Sequence, residues 1–181
     1  MKDHNTFLIN RSKGGDEKAM MTLYDTYCDA MFTIACRYLN AEDAKDAMQE
    51  SFIKAFSKLE TYQPKYSFGS WLKRIVINQC IDVLKQKKID FITIDKTIEH
   101  FKDEHDWTVE HIISKDKIID SINRLKPKQQ VVVKLYLIEG YDHEEISEIL
   151  NIPVKTSRTL LHRGRIELKN LLKTYYHEAR Y

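Results

Sequence analysis

The stretch from Asp142 to Arg165 constrains this chain more than any other, because its signals specify two helices and the turn between them. Asp142 is an N-cap residue, and Glu145, three positions on, completes a capping box. Tyr141 and Ile146 hold the positions of a hydrophobic staple around the same helix start. Ile146, Ile149 and Leu150 then share one face of a short helix. Asn151 tolerates the left-handed conformation of a turn, and Pro153 suits the start of a second helix. Sorted at about 3.6 residues per turn, that second helix divides into two sides. Ser157, Leu160, Leu161, Gly164, Leu168, Leu171 and Leu172 fall on one, and Lys155, Arg158, Thr159, His162, Arg163 and Lys169 on the other. The pattern predicts a helix-turn-helix. Its longer helix is held by an apolar stripe and turns cations and short polar donors outward.

A face of that composition meets what a DNA major groove requires: cations for phosphates, and forked or short donors for base edges. A merely solvated surface helix would mix charges of both signs. Here Lys155, Arg158, Arg163, Arg165, Lys169 and Lys173 are opposed only by Glu167. The net charge of the whole chain is only +2, so affinity for nucleic acid has to come from such local faces.

The rest of the chain reads as helical too. Five glycines and three prolines in 181 residues are too few for the tight turns of a β-rich chain. A hydrophobic content of 43% with 31% charged residues fits a soluble globular protein. A short helix to about Lys13 is expected, stopped by Gly14 and Gly15, with Asp16 capping the next. From Asp16 to Leu39, apolar residues recur at three- and four-residue steps, from Ala19 and Leu23 to Ala35 and Tyr38. Asn40 breaks that pattern. A helix over roughly 41–59 follows, with Ala44, Met48, Phe52, Ala55, Phe56 and Leu59 on its inner face. Its outer face carries Asp43, Asp46, Gln49 and Glu50. The helix dipole accounts for acids in the first turn, but not for Gln49 and Glu50 further along.

The stretch from Tyr62 to Trp71 is expected to be irregular, given Pro64 and Gly69. Three aromatics and small hydroxyls surround Lys65. Such a loop either holds unstacked bases or plugs the end of a helical core. A helix from Ser70 to about Gln86 turns Leu72, Ile75, Val76 and Val83 inward and leaves Lys73, Arg74 and Asn78 polar. Residues 88–112 lose periodicity and read as an interdomain linker. A third region starts near Ser114, with Ile118, Ile119, Ile122 and Leu125 on one helix. Pro127 opens another that runs to Ile138, with Gly140 just past its end. The tail from Thr174 is expected to fray.

Other chemistry finds little support. Cys28, Cys36 and Cys80 have no paired spacing and read as reduced thiols, which fits a cytoplasmic protein. His100, His105 and His111 lack partners at metal-ligand spacing, and His143-Glu144-Glu145 lacks the second histidine of a zinc protease motif. No catalytic or metal residue is assigned, no cofactor is expected, and no apolar run is long enough to enter a membrane.

Two separated motif sets resemble those of the extracytoplasmic-function class of bacterial RNA polymerase sigma factors. The first is Asp43-Ala-Lys-Asp46-Ala-Met-Gln49-Glu50-Ser-Phe52, followed by Phe68-Gly-Ser-Trp71-Leu72-Lys-Arg-Ile75 and Asn78; it is similar to region 2. The second runs from Leu125-Lys-Pro127 through Glu139-Gly140 and Glu145-Ile146 to Leu161-His162-Arg163-Gly-Arg165; it is similar to region 4. The resemblance covers nearly the whole chain. It implies an all-α protein of two small helical domains, 1–87 and 113–181, joined by the flexible linker 88–112. The second is the helix-turn-helix domain.

The resemblance also implies roles. Asp43, Asp46, Gln49 and Glu50 would dock on the clamp helices of core RNA polymerase, giving that acidic-amide face a basic partner. Lys65, Tyr66, Ser67, Phe68, Ser70, Lys73, Arg74 and Asn78 would hold the −10 element, with a base flipped from the non-template strand stacked on Tyr66 and Phe68. Trp71 would be core. Lys155, Arg158, Thr159, His162 and Arg163 would read the −35 element, while the turn and first helix pack against the polymerase flap. The linker would thread the RNA-exit path. The partners implied are core polymerase, promoter DNA and an inhibitory anti-sigma factor. The chain departs from the family in three places. Ser157 stands where an apolar residue is common, Leu160 where an arginine is frequent, and Gly164 where alanine is usual. Two rivals remain at this point. One is a stand-alone helix-turn-helix regulator with an N-terminal sensor or dimerisation domain. The other is a helical enzyme using Asp43, Asp46 and Glu50 for metal.

Overall fold

The computed structural model describes residues 2–87 and 113–178, without the side chains of 2–4 and 174–178. The expected linker, 88–112, with His100, His105 and His111, lies outside the described residues. The chain divides into two compact units, Met1–Lys88 and Ile89–Tyr181. Among the described residues every regular element is helical, in keeping with the all-α expectation.

The first unit holds α1 (Lys2–Lys13), α2 (Glu17–Ala35), α3 (Ala41–Ser57) and α4 (Phe68–Gln86), with a single 3₁₀ turn at Leu59–Thr61. The caps set these boundaries. The Asp16 carboxylate accepts from the Ala19 N–H at 3.1 Å, after Gly15 has turned the chain at φ +82°. That N–H holds the Asp16 carboxyl below its usual range, with Arg11 adding to the effect. Asn40 Oδ1 accepts from the Asp43 N–H at 3.0 Å and starts α3. Ser67 Oγ accepts from the Ser70 N–H at 3.2 Å, so α4 begins at Phe68, two residues earlier than its sequence suggests. α2 stops at Ala35 rather than Leu39, but Tyr38 and Leu39 stay buried in the turn that follows. α2, α3 and α4 pack around Leu23, Leu72, Val76, Ile77, Cys80 and Ile81, all essentially without solvent exposure. Burial pushes the Cys80 thiol up to about 12, which keeps it protonated and inert.

The second unit holds α5 (Lys115–Asn123), α6 (Pro127–Val133), α7 (His143–Leu150) and α8 (Val154–Glu178). One expectation is corrected here. The helix from Pro127 does not run regularly to Ile138; its last part, Lys134–Ile138, is a π turn. The Glu139 N–H donates to the Lys134 carbonyl and the Tyr141 N–H to the Leu135 carbonyl, both at 3.0 Å, which widens the ladder. Gly140 then takes φ +79°, the left-handed conformation open to glycine. The expected helix-turn-helix follows closely. Asp142 and Glu145 form the reciprocal capping box at 2.8 and 3.0 Å, and Asn151 sits at φ 55°, ψ 52°. α8 continues to Glu178 instead of fraying at Thr174, since neither glycine nor proline interrupts that stretch.

Candidate nucleic-acid interface

The long helix α8 sorts as its periodicity predicts. Ser157, Leu161, Gly164, Leu168 and Leu172 are buried, and Leu160 and Leu171 half-buried. Gly164 allows close approach: a Cβ there would lie 2.7 Å from Val133 Cγ2 and 3.4 Å from Gln129 Cβ on α6. Of the expected −35 residues, Lys155 and Arg158 are exposed, and Thr159, His162 and Arg163 are half-buried on the same side. The Thr159 hydroxyl donates to the Lys155 carbonyl at 2.9 Å, so it offers a lone pair outward more readily than a proton. Arg158 lies 3.7 Å from Glu144 of α7, both well exposed. Such a pair contributes little stability. The periodicity had left out Ile166, which lies 48% exposed one turn beyond His162 and extends this face with an apolar side chain.

The aromatic stretch resolves into two parts. Phe68 is only 2% exposed. Its ring lies 5.3 Å from Tyr27, 5.7 Å from Tyr62 and 5.6 Å from Trp71, centroid to centroid. This is the plug, and it withdraws Phe68 from the stacking role expected of it: as the first residue of α4, Phe68 points into the bundle. Asn5 donates to the Tyr27 hydroxyl at 2.6 Å, and Gly69 lets the Tyr27 ring come within 3.1 Å of where a Cβ would stand. Trp71 is half-buried in the same cluster, and burial pushes the Tyr62 phenol up. The other part faces solvent. Tyr66 is 62% exposed, with Lys65 Nζ 5.5 Å from its ring centroid, and Tyr62 donates its hydroxyl proton to the Tyr66 carbonyl at 2.8 Å. The Ser67 and Ser70 hydroxyls bond each other at 2.8 Å. Ser67, Ser70, Arg74 and Asn78 are exposed, and Lys73 is half-buried.

On α3, Asp46, Gln49 and Glu50 form one exposed stripe. Asp43 differs from them. Its carboxylate accepts from Asn40 Nδ2 at 2.7 Å and pairs with Lys87, just past the end of α4, so much of its charge is satisfied within the unit. Ile53, which the sequence reading passed over, is 66% exposed and stands three and four residues after Glu50 and Gln49. The same spacing rule that grouped the polar residues identifies it. One turn further, Phe56 lines an open apolar groove with Met20, Met21 and Tyr24. The stripe therefore joins polar and apolar surface, the mixture of protein interfaces. Among the described residues no cluster of three or more His, Cys, Asp or Glu side chains is arranged to hold a metal ion, and no helix is long and apolar enough to cross a membrane.

Residues 23–89 match the family model for sigma-70 region 2, and residues 115–168 match that for sigma-70 region 4. The ECF RNA polymerase sigma factor SigW of Bacillus subtilis is 31% identical over 178 residues, covering 91% of this chain and 95% of the relative. The ECF RNA polymerase sigma-E factor of Haemophilus influenzae is 29% identical over 177 residues, covering 92% and 94%. Two solved structures share the fold. RpoE of Bartonella quintana, solved with the anti-sigma factor NepR, gives a TM-score of 0.55 at 18% identity over 86% of this chain and 98% of that one. CnrH, solved with the cytosolic domain of CnrY, gives 0.53 at 19% identity over 93% and 96%. Two helical units, the second a helix-turn-helix, thus carry regions 2 and 4 in order. The chain belongs to the ECF RNA polymerase sigma factors of the sigma-70 family. Its activity is promoter-specific initiation of transcription with core RNA polymerase, which sets aside the stand-alone regulator.

Proposed function

We propose that this sigma factor divides its work between three faces. Asp46, Gln49 and Glu50 of α3 dock on the clamp helices of core polymerase, with Asp43 contributing from its pair with Lys87. Lys65, Tyr66, Ser67, Ser70, Lys73, Arg74 and Asn78 hold the opened −10 element. Tyr66 is the stacking platform, while Phe68 serves as the plug beneath it. Lys155, Arg158, Thr159, His162 and Arg163 read the −35 element in the major groove, and the turn with α7 packs on the flap. The linker 88–112 joins domains 1–87 and 113–181 through the RNA-exit path. The observation that carries this reading is the contrast between two exposed helix faces, acidic-amide on α3 and basic on α8. One suits a protein with a basic surface; the other suits DNA.

The protein performs no bond chemistry and needs no cofactor. It acts in the cytoplasm, supplies binding energy to polymerase, and traps the melted strand. An anti-sigma factor restrains it. The fold relative solved with NepR supports that partner. The test is run-off transcription with core polymerase on genomic DNA, with and without the protein. Discrete new transcripts are expected only with both present. No transcripts, or sequence-specific DNA binding by the protein alone at equal strength, would refute the reading.

A further inference from the structure

Three side chains from three elements of the second unit meet at one imidazole. His143, the first residue of α7, has Nδ1 hydrogen-bonded to Ser157 Oγ of α8 at 2.9 Å. Its ring packs on the Tyr136 ring of the π turn, centroids 4.9 Å apart and planes 30° from parallel. Ser157 is completely buried. Its burial beneath the turn gives the bond a fixed direction, which an apolar contact at the same point would lack, since dispersion is weakly directional and a hydrogen bond weakens steeply off axis.

We infer that His143 and Ser157 are positioning residues that set the angle at which α8 enters the DNA groove, and with it the −35 preference. The inference rests on the −35 reading of α8. Within the buried stripe that holds α8, two points differ from the leucine contacts. One is Gly164, where α6 comes too close to admit a Cβ. The other is Ser157, seven residues earlier and so about 10 Å away along the axis. The first acts as a pivot and the second as the point that fixes the tilt. Lys155, Arg158 and Thr159 lie around the second point, whereas His162 and Arg163 stand next to Gly164. Arg158 immediately follows Ser157, just as its partner Glu144 immediately follows His143. A shift of 1 Å at Ser157 tilts the helix by about 6° over that length, enough to displace the side chains nearest the bases while those nearer Gly164 hardly move. The Tyr136 ring restrains the imidazole on its other side, so the π turn is coupled to the same setting.

The experiment uses the full chain with core polymerase on a promoter library randomised across the −35 element, counting transcripts by sequence, with thermal unfolding of each variant in parallel. His143→Ala and Ser157→Ala are each expected to re-rank the −35 sequences, changing relative use by about threefold to tenfold, the equilibrium weight of one hydrogen bond. The double variant is expected to look like either single one. His143→Asn keeps a polar atom where Nδ1 stands and is expected to restore the wild-type ranking, whereas His143→Gln is not. Loss of transcription by the same factor at every −35 sequence, in step with a lowered melting temperature, would overturn the proposal. So would identical rankings for His143→Asn and His143→Ala. A wild-type protein indifferent to the −35 sequence would overturn the −35 reading itself, and this proposal with it.

Discussion

Gly164→Ala sets two terms of similar size against each other. In the middle of a helix, alanine is favoured over glycine by about 1 kcal/mol, so propensity alone predicts a stabilised protein. The structure opposes this. The new methyl would stand 2.7 Å from Val133 Cγ2, against an optimum for carbon pairs of about 3.5–4.0 Å. Val133 is fully buried and β-branched, so it has little rotamer freedom with which to yield. α6 would have to back away from α8, and overpacking of this kind costs about 1–3 kcal/mol. The net expectation is a loss of about 1 kcal/mol, or about 4–8 °C in melting temperature for a unit of this size. Calorimetry of the full chain would follow the transition of the second unit. Val133→Ala removes the opposing methyl, so the double variant should be less destabilised than the sum of the singles by more than about 0.5 kcal/mol. A raised melting temperature for Gly164→Ala, or strict additivity in the cycle, would refute the close-approach account.

Asp46→Arg combined with Glu50→Arg should weaken co-elution with core polymerase about tenfold or more through like-charge contact, and an unchanged complex would remove the docking role. Phe68→Ala should cost about 3–5 kcal/mol of stability. Tyr66→Ala should leave the melting temperature nearly unchanged while reducing permanganate reactivity of the −10 thymines; the opposite pattern would return the stacking role to Phe68. Burial lowers the Lys134 ammonium from 10.5 to about 8. Between those values the unfolded chain binds the extra proton, so stability of the second unit should rise as pH increases from about 8 to 10.5. Lys134→Met should flatten that rise, and an equal slope in both proteins would show that the ammonium is not paying a burial penalty.

The helix-turn-helix was legible in detail because its signals are local. Asp142, Glu145, Asn151 and Pro153 act on neighbours within a few residues, and the stripe on α8 repeats over about four turns. The features that escaped depend on tertiary context. Phe68 lies within one turn of Ser67 and Ser70, so sequence alone could not tell which aromatic would cap the bundle and which would face solvent. The position of Tyr27 decides that, and it lies on another helix. The π turn was hidden because Leu135, Tyr136 and Ile138 continue the apolar pattern of α6. Asp43 looked equivalent to Asp46 until the return of α4 brought Lys87 beside it. Ile53 and Ile166 obey the same spacing rule as their polar neighbours, but an apolar side chain carries no local signal that it faces outward.

The π turn fixes a phase relation as well as a bond pattern. Each residue advances a helix by about 100°, and the five residues from Lys134 to Ile138 carry the extra residue that a wider turn accommodates. That turn has already absorbed one residue, so a further insertion there would not be taken up, and the chain would leave α6 rotated by roughly a quarter turn. Tyr136 would be swung away from His143, and α7 with α8 would be delivered to the wrong side of α6. Substitutions along 134–138 that keep the length would spare that phase. The spacing between the π turn and the DNA-reading helix is therefore a sequence length that this unit has little freedom to change.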